Sequence, residues 1–132
     1  MTAAIPEPEI TSVNRPYWEG LKQGQLMFAR CRQCGNTWFP ARPECPGCLQ
    51  DDWAWTPSAG QGRLISWVVY QIAFHPAFRD RLPYNVALVA IDEGPRLIAN
   101  IAAPHDALHA DMRLRLDIAH IGAFALARFA PA

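Results

Sequence analysis

The most informative feature of this 132-residue sequence is what it has little of. It lacks any apolar run approaching the roughly 20 residues a bilayer-spanning helix needs, which excludes a helical membrane protein. It lacks a surplus of positive charge: 12 Lys and Arg stand against 12 Asp and Glu. Nucleic-acid binders draw much of their affinity from neutralising phosphates, so this balance argues against that class. Lysine is almost missing, since eleven of the twelve cations are Arg, which leaves room for a local patch that recognises phosphate through planar guanidinium contacts; the simpler explanation is a high-GC composition in which Arg replaces Lys. There is no GxSxG elbow, no HExxH and no phosphate-cradling glycine loop, so none of the common catalytic signatures is present. The start, MTAAIPEPEITS, has neither a basic n-region nor an apolar h-region, and the expected location is cytoplasmic, where thiols stay reduced.

Cysteine is confined to one stretch, CRQCGNTWFPARPECPGC, as Cys31, Cys34, Cys45 and Cys48. Two CxxC pairs ten residues apart let two tight turns aim four sulfurs at one point, the layout of a tetrahedral thiolate site for zinc. Iron takes the same four ligands and is not separated from zinc by spacing. A redox dithiol is disfavoured by the second pair and by the lack of a surrounding βαβ pattern. Four thiolates close the coordination sphere, so the expected Zn2+ is structural rather than catalytic. Gly35 and Gly47 stand where the two turns need a permissive backbone, and Pro46 stiffens the second.

Around this stretch the chain divides into a Pro-rich extended arm (1–13), a helix plus ribbon (14–60) and a β-rich remainder (61–132). Asn14 followed by Pro16 reads as a helix start, with the helix running to about Gln23 and Gly24 stopping it. Tyr17, Trp18 and Leu21 share one side of it, and either dock a partner or fold back on the ribbon. Strands flank the cysteines in QLMFARC and DDWAWTPS, the second with Trp53 and Trp55 on one face. Beyond SAGQG come a long strand from Arg63 to about Ala73, a hairpin of YNVALVAID and RLIANIAA, then RLRLDIAHI and FALARFAPA. The predicted fold is mainly β: an N-terminal helix and zinc ribbon followed by a five-stranded antiparallel oligonucleotide/oligosaccharide-binding (OB) barrel, with an open sandwich as the fallback.

The loop FHPAFRDRLPY is long for a hairpin connection. Phe74, His75, Phe78, Arg79, Arg81 and Tyr84 are candidates to contact an acyl group, a phosphate or a partner; the alternative is that the rings cap the barrel mouth and the arginines are solvated. His105 and His109 are four apart but on a short segment after a proline, and His120 continues an alternating strand, so all three read as solvated.

The segments YWEGLKQGQLMFARCRQCGNTWFPARPECPGC, GQGRLISWVVY, YNVALVAIDEGPRLIANI and the terminal RFAPA together resemble the OB-fold family known as domain of unknown function 35 (DUF35), with its N-terminal rubredoxin-like zinc ribbon. The likeness runs from about Asn14 to the C-terminus. It implies an acyl-CoA-associated accessory subunit without catalytic residues of its own, bound to a thiolase-like acyltransferase, thiolase or aldolase, or beside a MaoC-like hydratase, and helping to hold an acyl-CoA ligand. The family's four-Cys motif falls on Cys31, Cys34, Cys45 and Cys48. IGAFALARF lacks the Asp-Gly turn and the Leu-Pro common in relatives, so the last hairpin is expected to differ. The rival reading is a single-stranded nucleic-acid binder using the OB face.

Overall fold

The computed structural model describes residues 5–132; residues 1–4 of the expected N-terminal arm lie outside it. Helix α1 spans Arg15–Lys22, with Pro16 in its first turn. Asn14 precedes it but makes no side-chain cap. Its Oδ1 instead accepts from the Thr11 N–H at 2.7 Å and its Nδ2 donates to the Glu9 carbonyl at 2.9 Å, tying the incoming chain to the helix. Gly24, at φ 85°, turns the chain out of the helix.

Strands β1 (Met27–Cys31), β2 (Thr37–Trp38) and β3 (Trp53–Pro57) form an antiparallel sheet in the order β2-β1-β3. The remaining chain closes into a barrel. Its strands are β4 (Gln61–Tyr70), β5 (Tyr84–Ile91), β6 (Arg96–Ile101), β7 (Arg113–Leu116) and β10 (Arg128–Pro131), in the closed order β10-β6-β5-β4-β7. Closure removes the strand edges that an open sheet would expose. Between β7 and β10 a separate hairpin forms from β8 (Ala119–Ile121) and β9 (Phe124–Leu126).

Three sequence expectations are corrected at this level. The long strand ends at Tyr70, not near Ala73, because the chain leaves the sheet toward the 3₁₀ turn Pro76–Arg81. RLRLDIAHI is not one strand but β7 and β8, and FALARFAPA is β9 and β10. The break comes where the Asp117 N–H donates to the Arg128 carbonyl at 2.6 Å, so that each run crosses from the barrel into the outer hairpin. The barrel is also not wholly antiparallel: β10 runs parallel to β6, pairing Arg128 with Asn100 and Phe129 with Ile101.

The core follows the period-2 alternation of the strands. Leu64, Val89, Leu97, Ala99, Ile101, Leu114 and Phe129 point inward, all under a tenth exposed. Leu21 from α1 and Leu26 and Phe28 beside them are fully buried in this same cluster. A second, small cluster holds Ala29, Cys31, Trp38 and Cys45. Strand β1 thus serves two cores: Phe28 belongs to the barrel, while Ala29 and Cys31 belong to the ribbon. No helix among the described residues is long and apolar enough to cross a membrane.

Candidate functional site

The two CxxC turns are copies of one device. In the first, the Cys31 N–H donates to the Asn36 carbonyl at 2.8 Å and the Gly35 N–H to the Cys31 carbonyl at 3.1 Å. In the second, Cys45 N–H reaches the Gln50 carbonyl at 2.8 Å and Leu49 N–H the Cys45 carbonyl at 2.9 Å. Each turn also aims a backbone N–H at its first sulfur, from Gln33 to Cys31 Sγ and from Gly47 to Cys45 Sγ, both at 3.3 Å. The residue after the second cysteine is left-handed in both: Gly35 at φ 76° and Leu49 at φ 65°. Gly35 was expected in such a place; in the second turn the position falls to Leu49, not Gly47. A non-glycine residue there costs about 1–2 kcal/mol, and the Leu49 side chain is 71% exposed, so little packing offsets it. Leu49→Gly is therefore expected to stabilise the folded chain by up to about 1 kcal/mol, read as a higher urea midpoint with an unchanged slope.

The four Sγ atoms lie within 4.8 Å of one another. Cys31 and Cys48 are 3.6 Å apart, as are Cys34 and Cys45, far beyond a disulfide bond, and all four cysteines are free. A tetrahedron of Zn–S bonds of about 2.3 Å has edges of about 3.8 Å, so the array fits one ion at its centre. The protonation of the sulfurs agrees. The Cys34 N–H lowers Cys31; burial pushes Cys45 up, but the N–H groups of Cys48 and Gly47 and the Asn36 amide outweigh it and bring it to about 6. The Asn36 N–H favours the Cys34 thiolate and the Gln50 N–H that of Cys48, yet burial and neighbouring sulfurs win at both, raising Cys34 and taking Cys48 to about 12. Two sulfurs are eased toward the thiolate and two are held back by burial and by their neighbouring sulfurs; a central divalent cation would favour the thiolate at all four. The four cysteines are positioned to bind a metal.

Outside the metal centre an aromatic line crosses from ribbon to helix. Trp38 meets Trp53 at 5.5 Å, Trp53 meets Trp55 at 5.3 Å, and Trp55 meets Tyr17 at 6.3 Å. Tyr17 and Trp18 are half-buried and pack against the barrel core, so they fold back, while still forming one wall of a groove of about 440 Å³. Phe39, Pro40, Leu88 and Ile98 supply much of the rest of its lining, with Asn14 and Arg96 as its polar members. Leu21 is fully buried and has no surface left with which to meet a partner, which corrects its place beside Tyr17 and Trp18. Burial pushes the Tyr17 phenol from 10.0 up to about 12. Because the folded state holds the proton more tightly than the unfolded one, the associated stability is complete below pH 10 and is lost as pH climbs from 10 to 12. Urea midpoints at pH 8 and pH 11 are expected to fall less in Tyr17→Phe than in the parent chain.

The structure brings Phe78, Arg81 and Tyr84 together at the open end of the barrel, on a pocket of about 350 Å³. The other three candidates lie elsewhere. His75 caps the 3₁₀ turn, its Nδ1 accepting from the Ala77 N–H at 3.0 Å. Phe74 is 83% exposed with its ring edge-on to Tyr70, and Arg79 is exposed. Sequence reasoning missed Asn85, Asn100, His105 and Arg128, which line the same pocket. Nothing local marks them, because they converge from β5, β6, the turn after β6 and β10.

Residues 18–54 match the family model described as the ChsH2 rubredoxin-like zinc ribbon domain, and residues 55–119 match that of the ChsH2 C-terminal OB-fold domain. Among solved structures, the chain is similar to one in the Ltp2-ChsH2(DUF35) aldolase, with a TM-score of 0.84 and 35% identity, covering 95% of this chain and 98% of that one. It is 39% identical over 99 residues to a probable enoyl-CoA hydratase alpha subunit of Thermomonospora curvata, covering 75% of this chain. The match spans only 30% of that relative's length. It is 23% identical over 115 residues to the benzoylsuccinyl-CoA thiolase subunit BbsA of Thauera aromatica, covering 85% of this chain and 78% of that protein.

Proposed function

The chain belongs to the DUF35 family of ChsH2-type zinc-ribbon and OB-fold proteins, and on that premise we propose that it is a non-catalytic accessory subunit of a thiolase-like enzyme acting on acyl-CoA. The observation that carries this reading is the closed array of four thiols. Every cysteine, the strongest nucleophile available to a chain of this composition, is turned toward one centre. Cys31, Cys34, Cys45 and Cys48 would hold a Zn2+ ion, which supplies a fixed cross-link and leaves no coordination position for substrate. Chemistry at a thioester then falls to another polypeptide, and the printed names of the relatives favour a thiolase, an aldolase or a hydratase for that role.

The docking face we favour is the outer side of β4, β5 and β6 together with the groove under Tyr17 and Trp18. Val68 and Ile98, 55% and 64% exposed, stand on that sheet face. Single exposed apolar residues are ordinary, but a patch continuous with an aromatic groove suits the apolar centre of a protein interface. A thiolase-like chain is the occupant proposed.

The test is co-expression of this chain, tagged, with a thiolase-like protein encoded beside it. A stable complex is expected, with thioester turnover by the complex and none by this chain alone. Ile98→Glu is expected to abolish co-purification without lowering the melting temperature. Turnover by the isolated chain would overturn the reading, as would failure of the complex to form alongside salt-sensitive binding of single-stranded oligonucleotides.

A further inference from the structure

We propose that the pocket at the barrel mouth is a binding site for an oxyanion carried on an apolar stem. The pocket is walled by four separate parts of the chain: the 3₁₀ turn Pro76–Arg81, the facing ends of β5 and β6, the turn His105–Ala107, and the start of β10 with the β8–β9 hairpin. Its charge is one-sided. Arg81, His105 and Arg128 line it, and no Asp or Glu does.

The two arginines differ in how they are held. Arg128 Nε donates to the Asp117 carbonyl at 3.1 Å and to Asp117 Oδ2 at 3.2 Å, and its Nη2 lies 3.1 Å from the same Oδ2. Asp117 cancels much of its charge but fixes the guanidinium plane, leaving Nη1 without a partner among the described residues. Arg81 has no acidic partner among them. A pre-oriented guanidinium and an unpaired one lining the same pocket offer planar N–H donors, which suit phosphate or carboxylate better than a neutral ligand. The buried polar group beneath them does not compete for the ligand. Asn85, 4% exposed, spends its amide on the Ile101 backbone, accepting at 2.7 Å and donating at 2.8 Å.

Apart from Asn100, whose Nδ2 donates to the Asn85 carbonyl, the rest of the lining is apolar or aromatic. Phe78 stacks against Tyr84 at 5.8 Å and Tyr84 against Tyr70 at 5.2 Å, so the aromatic wall is set by ring-on-ring contacts. Pro83, Ile101, Leu126 and four alanines complete it. A volume of about 350 Å³ is at the low end for small-molecule sites, enough for one end of a ligand. An oxyanion of this kind has two sources: the phosphates of coenzyme A, or a carboxylate at the far end of an acyl chain. The site rests on the accessory-subunit reading only for that source.

The experiment titrates the metal-loaded full chain with coenzyme A, with pantetheine, which lacks the phosphates, and with hexanoate, followed by backbone NMR shifts and calorimetry. Saturable binding that shifts Phe78, Tyr84 and Asn100 is expected from coenzyme A but not pantetheine if the anion is phosphate, and from hexanoate if it is an acyl carboxylate. Arg81→Ala is expected to weaken that binding about tenfold, the loss of one charge-assisted contact. Arg81→Gln, which keeps the bulk of the side chain, should weaken it similarly, and Arg115→Ala, at an exposed position of β7, should leave it unchanged. Binding by none of the three ligands, equal binding of pantetheine and coenzyme A without hexanoate binding, or wild-type affinity in both Arg81 variants would overturn the site. A chain that binds the oxyanion but forms no complex with a thiolase-like protein would keep this site and defeat the docking proposal; the reverse pattern would do the opposite.

Discussion

Stripping the metal, or replacing Cys45 with serine, is expected to unfold the ribbon while the barrel stays folded. The ribbon's own core holds Ala29, Cys31, Trp38 and Cys45, so two of its four buried residues are ligands. Such a core is too small to offset the backbone entropy lost in ordering the segment between β1 and β3. The ion must make up the difference, and structural zinc contributes about 10–16 kcal/mol in small ribbons and fingers. The barrel core, by contrast, is anchored by Leu64, Val89, Leu114 and Phe129 and contains no ligand. One equivalent of zinc per chain is expected by elemental analysis. After chelation, near-ultraviolet signals from Trp38 and Trp53 should collapse and proteases should cut between residues 32 and 52, while amides of β4 to β6 remain protected. A ribbon still protected in metal-free protein would refute this account, and iron in place of zinc would change the ion without changing the mechanics.

The second large effect is expected at Asn85. It is the one buried polar side chain in the described core, and it stands opposite Ile101 just beyond the last backbone pair of the β5–β6 ladder, Ala87 with Ala99. There β6 turns its other edge to the parallel strand β10, and the Asn85 amide fills the gap on the β5 side by bonding both the N–H and the C=O of Ile101. Asn85→Leu keeps the size but leaves the buried Ile101 N–H without a partner, at about 1–3 kcal/mol, while the Ile101 carbonyl keeps the Ala103 N–H at 3.0 Å. A loss of about 1–3 kcal/mol is expected, seen as a melting temperature lower by roughly 5–10 °C. Arg115→Ala, exposed on β7, should stay within about 0.5 kcal/mol of the parent. If Asn85→Leu melted with the parent, the amide would not be what holds β5 and β6 together at the mouth.

The metal centre was legible in the sequence because its geometry is local. Each CxxC pair builds its turn from bonds spanning four or five residues, so the spacing of Cys31, Cys34, Cys45 and Cys48 already specifies two sulfurs per turn. Even there, the assignment of the left-handed position to Gly47 rather than Leu49 shows the limit: glycine permits positive φ but does not require it. Strand existence from Gln61 to Ile101 was equally readable, since alternation and the hairpin turn act between neighbours. Where β7 gives way to β8 the alternation continues, because a period of two records that side chains take opposite faces and not which sheet those faces belong to.

By itself, then, the sequence determined the ligand set, the mainly β class and the absence of a charge surplus, all of which depend on composition or on residues a few positions apart. Only the tertiary structure decided that Leu21 is core rather than contact surface, that Asn85 closes the barrel, and that Arg81, His105 and Arg128 meet in one pocket. The physical reason is distance along the chain. Burial, the pairing of a charge and the satisfaction of an amide are set by groups tens of residues away, and they exist only once the barrel has closed.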